Sequence, residues 1–455
     1  MIELGNTIFL EGAKAIVTMP NPKSIYAKPD NEPKTFTSAS DNKEYKGVVY
    51  WGEKNLLPQE LLEKIYANPV VSSAMEFKTT LMFGDGVIPA RMDSEGKLSP
   101  FYGYKEVNQF LEDNDINGHT LEEINDLVVF FNLFPEIICN NEPKPKVVEL
   151  NHKEAAFSRL EVMNDKGEIE HHFYSALWKD GDNPTDMVAT PMLSSRNPIK
   201  DLKYRLGLED DPLGKVKPTK ERRFIIPVNF PSPGRFYYRK PWWISIIESG
   251  WYDFAQKILE FKRALINNGM VLKYHIELHP QFWQKLFDAR KADTEEKKKV
   301  AKTQWLTNLN NFLANAENAG KTFISEKMQM GPELSSMVTI NAIKNEFTGG
   351  EYLGDLEEVS NILSYGMGVH PSLIGSSPGK TKTINGTEAR ELFIIKQALM
   401  KPFRDRLLFP LYLIKAINGW PDDLHFIIPN MELTTTDNGT GAQKVISQPA
   451  IDNVE

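Results

Sequence analysis

Apolar residues along this chain change spacing several times, and each change marks an element. Leu57 to Tyr66 keeps helical spacing. The pattern resumes after Asn68-Pro69, with the proline fitting a first helical turn, and runs through Val70, Val71, Ala74, Met75, Phe77, Leu81 and Met82 until Gly84-Asp85-Gly86 stops it. Thr120 with Glu123 three residues on reads as a capping box opening a helix through Ile124, Leu127 and Val128. From Pro135 the period shortens to that of strands: Pro135 to Asn140, Lys146 to Leu150, Ala155 to Met163 and Glu168 to Tyr174. Asn164-Asp165-Lys166-Gly167 supplies a hairpin turn between the last two. Residues 57–230 therefore read as a mixed α+β domain.

Pro231-Ser232-Pro233-Gly234 closes that domain. A long helix is expected from about Trp242 to Asn267, carried by Ile246, Ile247, Phe254, Ile258, Phe261 and Leu265 and stopped by Asn267-Asn268-Gly269. A small insert follows, with a strand at Met270 to Ile276, helical segments between Pro280 and Asn318, and a strand at Lys321 to Ser325. Its charge-dense stretch Ala289 to Lys302 has the composition of a solvated helix face. A second long helix is expected from near Ala342 to Tyr365. Gly375 then opens a polar loop without an acid, and a further long helix reaches Lys401-Pro402. At the other end, Pro20, Pro22, Pro29 and Pro33 make the first 45 to 50 residues an extended arm that gains structure from a neighbour.

At 455 residues the chain exceeds one core, and 41% hydrophobic residues support packed domains. No apolar run approaches the ~18 residues of a membrane span, and Glu3 stands where a signal peptide would be basic, so the expectation is a soluble protein outside the membrane. The single Cys139, in an apolar run, excludes an internal disulfide and reads as a small buried hydrophobe. A net charge of −8 argues against tight, sequence-reading binding of nucleic acid through a broad basic face, though not against a surface that DNA slides past.

Catalytic constellations are hard to assemble. Gly375-Ser376-Ser377-Pro378-Gly379-Lys380-Thr381 approaches a phosphate-binding loop, but it has three residues between the glycines instead of four. It also lacks a preceding strand and an immediately following helix, so backbone amides would not converge on a phosphate. His171 and His172 are neighbours on a strand and face opposite ways. His275 and His279 have i, i+4 spacing, yet the first lies on an expected strand and Pro280 follows the second. His370, before a proline in a turn, reads as structural. Glu346, Glu351, Asp355 and Glu358 along the second long helix suit salt bridges to a neighbour or a water-filled channel better than acid–base catalysis. The expectation is a non-enzyme without cofactor or metal.

Several strings together carry a resemblance. Trp51-Gly-Glu-Lys-Asn-Leu-Leu-Pro58, Asn68-Pro-Val-Val-Ser-Ser-Ala-Met-Glu-Phe77, Phe83-Gly-Asp-Gly-Val87, Pro233-Gly-Arg-Phe-Tyr-Tyr238 with Pro241-Trp242, Gly368-Val-His-Pro-Ser-Leu-Ile-Gly375 and Gly386-Thr-Glu388 occur in the order, and around the helix–insert–helix pattern, of tailed-bacteriophage portal proteins, the head-to-tail connectors. The chain resembles that family over roughly residues 50–435. The resemblance implies an α+β portal-type fold with these parts: an N-terminal arm (1–50), a mixed wing (51–240), stem helices at 241–269 and 341–366 bracketing an α/β clip (270–340), a tunnel loop, long helix and return to the wing (367–435), and a polar tail with a reduced crown (436–455).

It further implies a ring of about twelve copies at one capsid vertex, in the virion after assembly and in the host cytoplasm before it. Expected partners are other copies of the chain, double-stranded DNA held weakly and without sequence preference, the large terminase, a head-completion or neck adaptor, and a major capsid or scaffolding protein. A ring that passes DNA must not grip it, since each neutralised phosphate adds affinity, and an acidic subunit repeated around a ring repels phosphate on average. Ser376, Ser377, Lys380, Thr381, Lys382 and Thr383 are then candidates for brief contacts at the narrowest point, on a loop made pliable by Pro378, Gly379 and Gly386. Trp251, Phe254, Ile258, Phe261, Glu351, Asp355 and Glu358 are candidates for subunit packing in the stem, and Trp283 and Trp305 for the clip. A slender helical hairpin has too little interior for its aromatics, so some should pack on neighbouring copies. The rivals are a nucleic-acid-processing enzyme with a helical-hairpin insertion and another ring-forming virion connector.

Overall fold

Asn68 divides two helices, at the break the sequence places there. In the computed structural model α1 (Leu57–Ala67) ends at Asn68, whose side chain accepts hydrogen bonds from Val70 N (3.1 Å) and Val71 N (3.2 Å) and so caps α2 (Pro69–Phe83). The structure describes residues 2–4, 7–10, 15–18, 35–37, 43–267, 274–279, 281–314, 327–330, 333–342, 353–375 and 386–431, apart from 95, 166, 180–182 and 236. It divides into two units, 1–255 with 356–455, and 256–355.

In the larger unit, α2 packs against α1, α4 (Ile116–Phe130) and α11 (Gly386–Leu407), with α3 (Lys105–Asp113) against α4 and α12 (Phe409–Asn418) against α5 (Pro198–Arg205). Leu81, Met82, Ile124, Leu127, Leu413 and Ile414 are fully buried in this helical layer. The sheets are small and antiparallel. Ser158–Glu161 lies between His171–Tyr174 and Val48–Val49, and Val188–Pro191 extends the other side. Glu136–Cys139 pairs with both Val147–Asn151 and Arg223–Ile225. Near the end of the chain, Leu424–Ile427 pairs with Ile88–Met92 and returns the C-terminal segment to the N-terminal half. Arg404 reinforces that return: its buried guanidinium donates to Leu81 O (2.8 Å), Met82 O (3.0 Å), Ile428 O (3.3 Å) and Asn430 Oδ1 (2.5 Å). One side chain thereby satisfies the free carbonyls at the end of α2 and joins them to the last strand.

The smaller unit holds α8 (Phe282–Ala289), α9 (Glu295–Ala314) and two antiparallel pairs, Tyr274–Leu278 with Val338–Ala342 and Lys327–Met330 with Glu333–Ser336.

Several sequence expectations need correction. Thr120 lies inside α4, which Asp115 caps by accepting from Gly118 N (3.3 Å); the Thr120 hydroxyl donates back to Ile116 O (2.6 Å), so there is no capping box. The single helix from Trp242 to Asn267 is three pieces. Trp242–Ile244 is a 3-10 turn, α6 (Ser245–Glu248) is one turn long, and α7 (Trp251–Asn267) begins only after Gly250, whose φ of +83° breaks the run. Ala342 ends a strand rather than starting a helix, and the helix after it is α10 (Leu353–Gly366). Ala155–Phe157 is a 3-10 turn preceding a shorter strand. The N-terminal arm pairs with itself: Ile2–Leu4, Thr7–Leu10 and Ala15–Thr18 form an antiparallel meander. The expected strand at Lys321 to Ser325 lies outside the described residues. Among the described residues no helix is long and apolar enough to cross a membrane.

Candidate functional site

Two of the strings that carried the sequence resemblance, those at Trp51 and at Tyr238, meet at one buried hub. Asn55, held at φ +60°, closes the loop after Trp51 by accepting from Trp51 N (3.0 Å) on its side-chain oxygen. The same oxygen takes Arg159 Nε (2.5 Å), and Asn55 O takes Arg159 Nη2 (2.6 Å). Nη1 donates to Ala156 O (3.0 Å) and Ser158 O (2.8 Å). Arg159 is completely buried, and that burial lowers its pKa to about 10. The Trp51 ring stacks on Tyr238 at 4.2 Å, and the Tyr238 hydroxyl donates to Val49 O (2.7 Å) while accepting from Leu160 N (3.0 Å). Tyr237 accepts from Met163 N (3.1 Å) on the same strand and turn. The hub fastens three distant segments of the chain: every hydrogen bond of the guanidinium goes to a backbone carbonyl or a side-chain amide, and its plane also lies over the Trp51 (5.8 Å) and Trp178 (5.1 Å) rings.

A second buried cluster has the residue types of a catalytic site without an open cleft around it. His152 lies between Glu123 (2.9 Å from Nδ1) and Asp126 (3.2 Å from Nε2), and Asp126 also accepts from Ala155 N (2.6 Å). Burial alone would lower the His152 pKa, but the hydrogen bonds and charges of Asp126 and Glu123 raise it to about 10. Burial pushes both carboxyls up, against the pull of the imidazolium. His119, beside His152 at 6.4 Å, is held neutral by burial, its pKa lowered to about 3. This arrangement is an ion-paired tie between α4 and the segment 152–155. The sequence offered Glu123 only as a capping residue, because nothing local pairs it with His152.

The surfaces are a different matter. On α7, Ile258 is buried while Phe254 (39% exposed), Leu259 (41%) and Phe261 (43%) face outward; Trp251 is half-buried, its ring edge-on to Phe254 at 6.0 Å. On α10, Asp355 is half-buried, and Glu358 and Tyr365 are exposed; Glu351 lies outside the described residues. On α11, Gln397, Met400 and Arg404 face inward, whereas Ile394, Ile395 and Leu399 are each more than half exposed, with Leu399 at 54%. Three helices therefore carry large apolar side chains that stay substantially exposed in the single chain.

In the smaller unit, Trp283 and Trp305 pack on each other (5.5 Å, 83°) and on Phe282, and Lys302 lies over the Trp283 ring at 5.1 Å. These two tryptophans thus find partners within their own chain. His370 accepts from Ser372 N (3.4 Å) and caps the turn Pro371–Leu373, and Lys396 donates to Gly368 O (2.8 Å). Gly375, at φ +120°, leads into the loop whose candidates Ser376, Ser377, Lys380, Thr381, Lys382 and Thr383 lie outside the described residues.

No protein-family model and no curated protein matches this chain. Solved structures do. A chain of the neck of an empty gene transfer agent particle, computed with C6 symmetry, aligns with a TM-score of 0.52 over 86% of this chain and 87% of its own length at 14% identity. Chains from the neck of the native particle computed with C12 symmetry (TM-score 0.51) and from the native virion (0.50) each align over 81% of this chain and 82% of theirs, also at 14% identity. This chain has the fold of those particle components. The portal-type α+β fold implied by the sequence resemblance is consistent with these neighbours, which align over 81–86% of this chain and 82–87% of theirs.

Proposed function

We propose that the chain is the portal subunit of a phage-like particle: about twelve copies close into a ring at one capsid vertex, and double-stranded DNA passes through its centre during packaging and ejection. The observation that carries this reading is the fold match over more than four-fifths of the chain to neck components of a particle with twelve-fold and six-fold symmetry. The exposed apolar residues of α7 and α11, Phe254, Leu259, Ile394, Ile395 and Leu399, support it, because a ring gives them neighbours. In this reading 256–355 contains the clip, which docks the terminase and later the neck adaptor; the wing meets capsid or scaffolding protein; and the loop at 376–385 rings the DNA path, with Lys380 and Lys382 making weak contacts. The protein performs no chemistry of its own, and the energy for translocation comes from the docked motor.

Electron microscopy of the purified protein, with rotational classification of end-on views and native mass, tests the reading. A closed ring with a hole of ~20 Å or more, wide enough for a duplex, is expected. A monodisperse monomer or dimer would overturn it and redirect attention to nuclease and nucleotide-hydrolysis assays.

A further inference from the structure

The hairpin of the four-stranded sheet carries a group that neither the hub nor the proposed ring uses. Antiparallel register places Leu160 opposite His172, which sets Glu161 opposite His171 at the next rung. Glu161 is almost fully buried, and its Oε2 lies 2.7 Å from His171 Nδ1. Glu170 precedes His171, and among the described residues Glu161, Glu170 and His171 are the set whose donor atoms all lie within 4.8 Å of one another. We infer that Glu161, Glu170 and His171 form a binding site for a zinc-like divalent cation.

The surroundings fit a metal better than a simple cross-strand ion pair. Two carboxylates converge there, while the Lys46 ammonium reaches only Glu170, at 3.8 Å, on a half-exposed side chain free to swing away. The carboxylates are already oriented by groups that would remain in place around a bound ion. Lys46 N donates to Glu161 Oε1 (2.9 Å), and Asn164 Nδ2 donates to Glu170 Oε1 (2.8 Å). The Tyr45 ring meets His171 edge-on at 5.0 Å and fixes the plane of the imidazole. Zinc ligands at ~2.0–2.2 Å in a tetrahedron stand a little over 3 Å apart, so the present spacings need only side-chain adjustment. One imidazole with two carboxylates suits zinc or cobalt; calcium and magnesium prefer all-oxygen sets with more ligands. His171 and Glu170 reach solvent, which gives the ion an entry path and leaves a coordination position for water.

The sequence concealed this site because its neighbouring histidines drew attention as a pair. Only His171 takes part; His172 points into the core against Phe134 at 5.0 Å, and the third ligand comes from across the hairpin. A bound cation would tie the two strands and their turn together independently of ring assembly.

Tag-free full-length protein, stripped with a chelator and dialysed, is titrated with zinc, and separately with calcium, by calorimetry; cobalt reports coordination by its visible absorption. The expected result is one zinc per chain, little response to calcium, and at least an approximately tenfold loss of zinc affinity in both His171→Ala and Glu170→Gln. Both side chains reach solvent, so both variants should fold, as circular dichroism would verify. Absence of zinc binding, or affinity unchanged in either variant, overturns the three-ligand site.

Discussion

Arg159 shows how one residue can organise a fold while leaving little trace in a sequence. Trp51, Asn55 and Tyr238 stand out as short strings, but the cation that joins them lies on an ordinary-looking strand, and only tertiary structure brings 159 to 55. Replacing it with methionine takes a donor from each of Asn55 O, Asn55 Oδ1, Ala156 O and Ser158 O, although Trp51 N still serves Asn55 Oδ1 and Gln59 Nε2 still serves Ala156 O, and should cost roughly 3–5 kcal/mol in chemical denaturation. Arg159→Lys should recover only part of this, since one ammonium cannot reach carbonyls that a planar fork spans. His152 gives a pH signature. Its pKa rises on folding from 6.5 to about 10, so its stabilising charge is fully present below about pH 6.5 and is lost as pH climbs towards 10. The thermal midpoint of the native chain should therefore exceed that of His152→Gln by most at pH 6 to 6.5, with the gap narrowing towards pH 10. A gap independent of pH would mean that packing, not charge, holds the cluster.

At the level of elements, the sequence was readable wherever spacing and punctuation agreed. Asn68-Pro69 separates α1 from α2 as expected, and the Asn164 to Gly167 turn joins its two strands. It misled where a residue plays an unusual part. Thr120 looked like a cap but sits mid-helix, and Gly250, within the single helix expected from Trp242 to Asn267, ends one helix and starts another. Glycine matters again at Gly366, the last residue of α10. A Cβ built there would overlap Ile246 Cγ2 on α6, so the two helices touch only because 366 lacks a side chain. Gly366→Ala gains helix propensity of up to about 1 kcal/mol, yet overpacking against a β-branched, fully buried neighbour should outweigh it at about 1–3 kcal/mol. The decisive check is the pair: Gly366→Ala with Ile246→Ala should be more stable than the two single changes predict by addition. Simple additivity would show that the helices adjust freely.

For the whole molecule, the open matter is what covers the apolar side chains that one chain leaves in water. The sequence argument that a slender hairpin cannot bury its own aromatics does not describe Trp283 and Trp305, which pack together; it fits Phe254 better, because a helix with one buried side and one apolar exposed side needs a second surface. If neighbouring copies provide that surface, the residues on it are dispensable for folding and essential for assembly. Phe254→Glu, Phe261→Glu and, on α11, Leu399→Glu each start from an exposed position, so each should leave the circular dichroism spectrum unchanged. Burying a carboxylate in a subunit contact without a partner is costly, and repetition around a closed ring applies that cost at every interface. Native mass should then shift from rings to free subunits in at least one variant of each helix. Intact rings in all three would place the contacts elsewhere on the subunit while leaving the ring itself standing. Loss of helical signal would instead make these side chains part of the fold, and the exposed face would no longer argue for assembly.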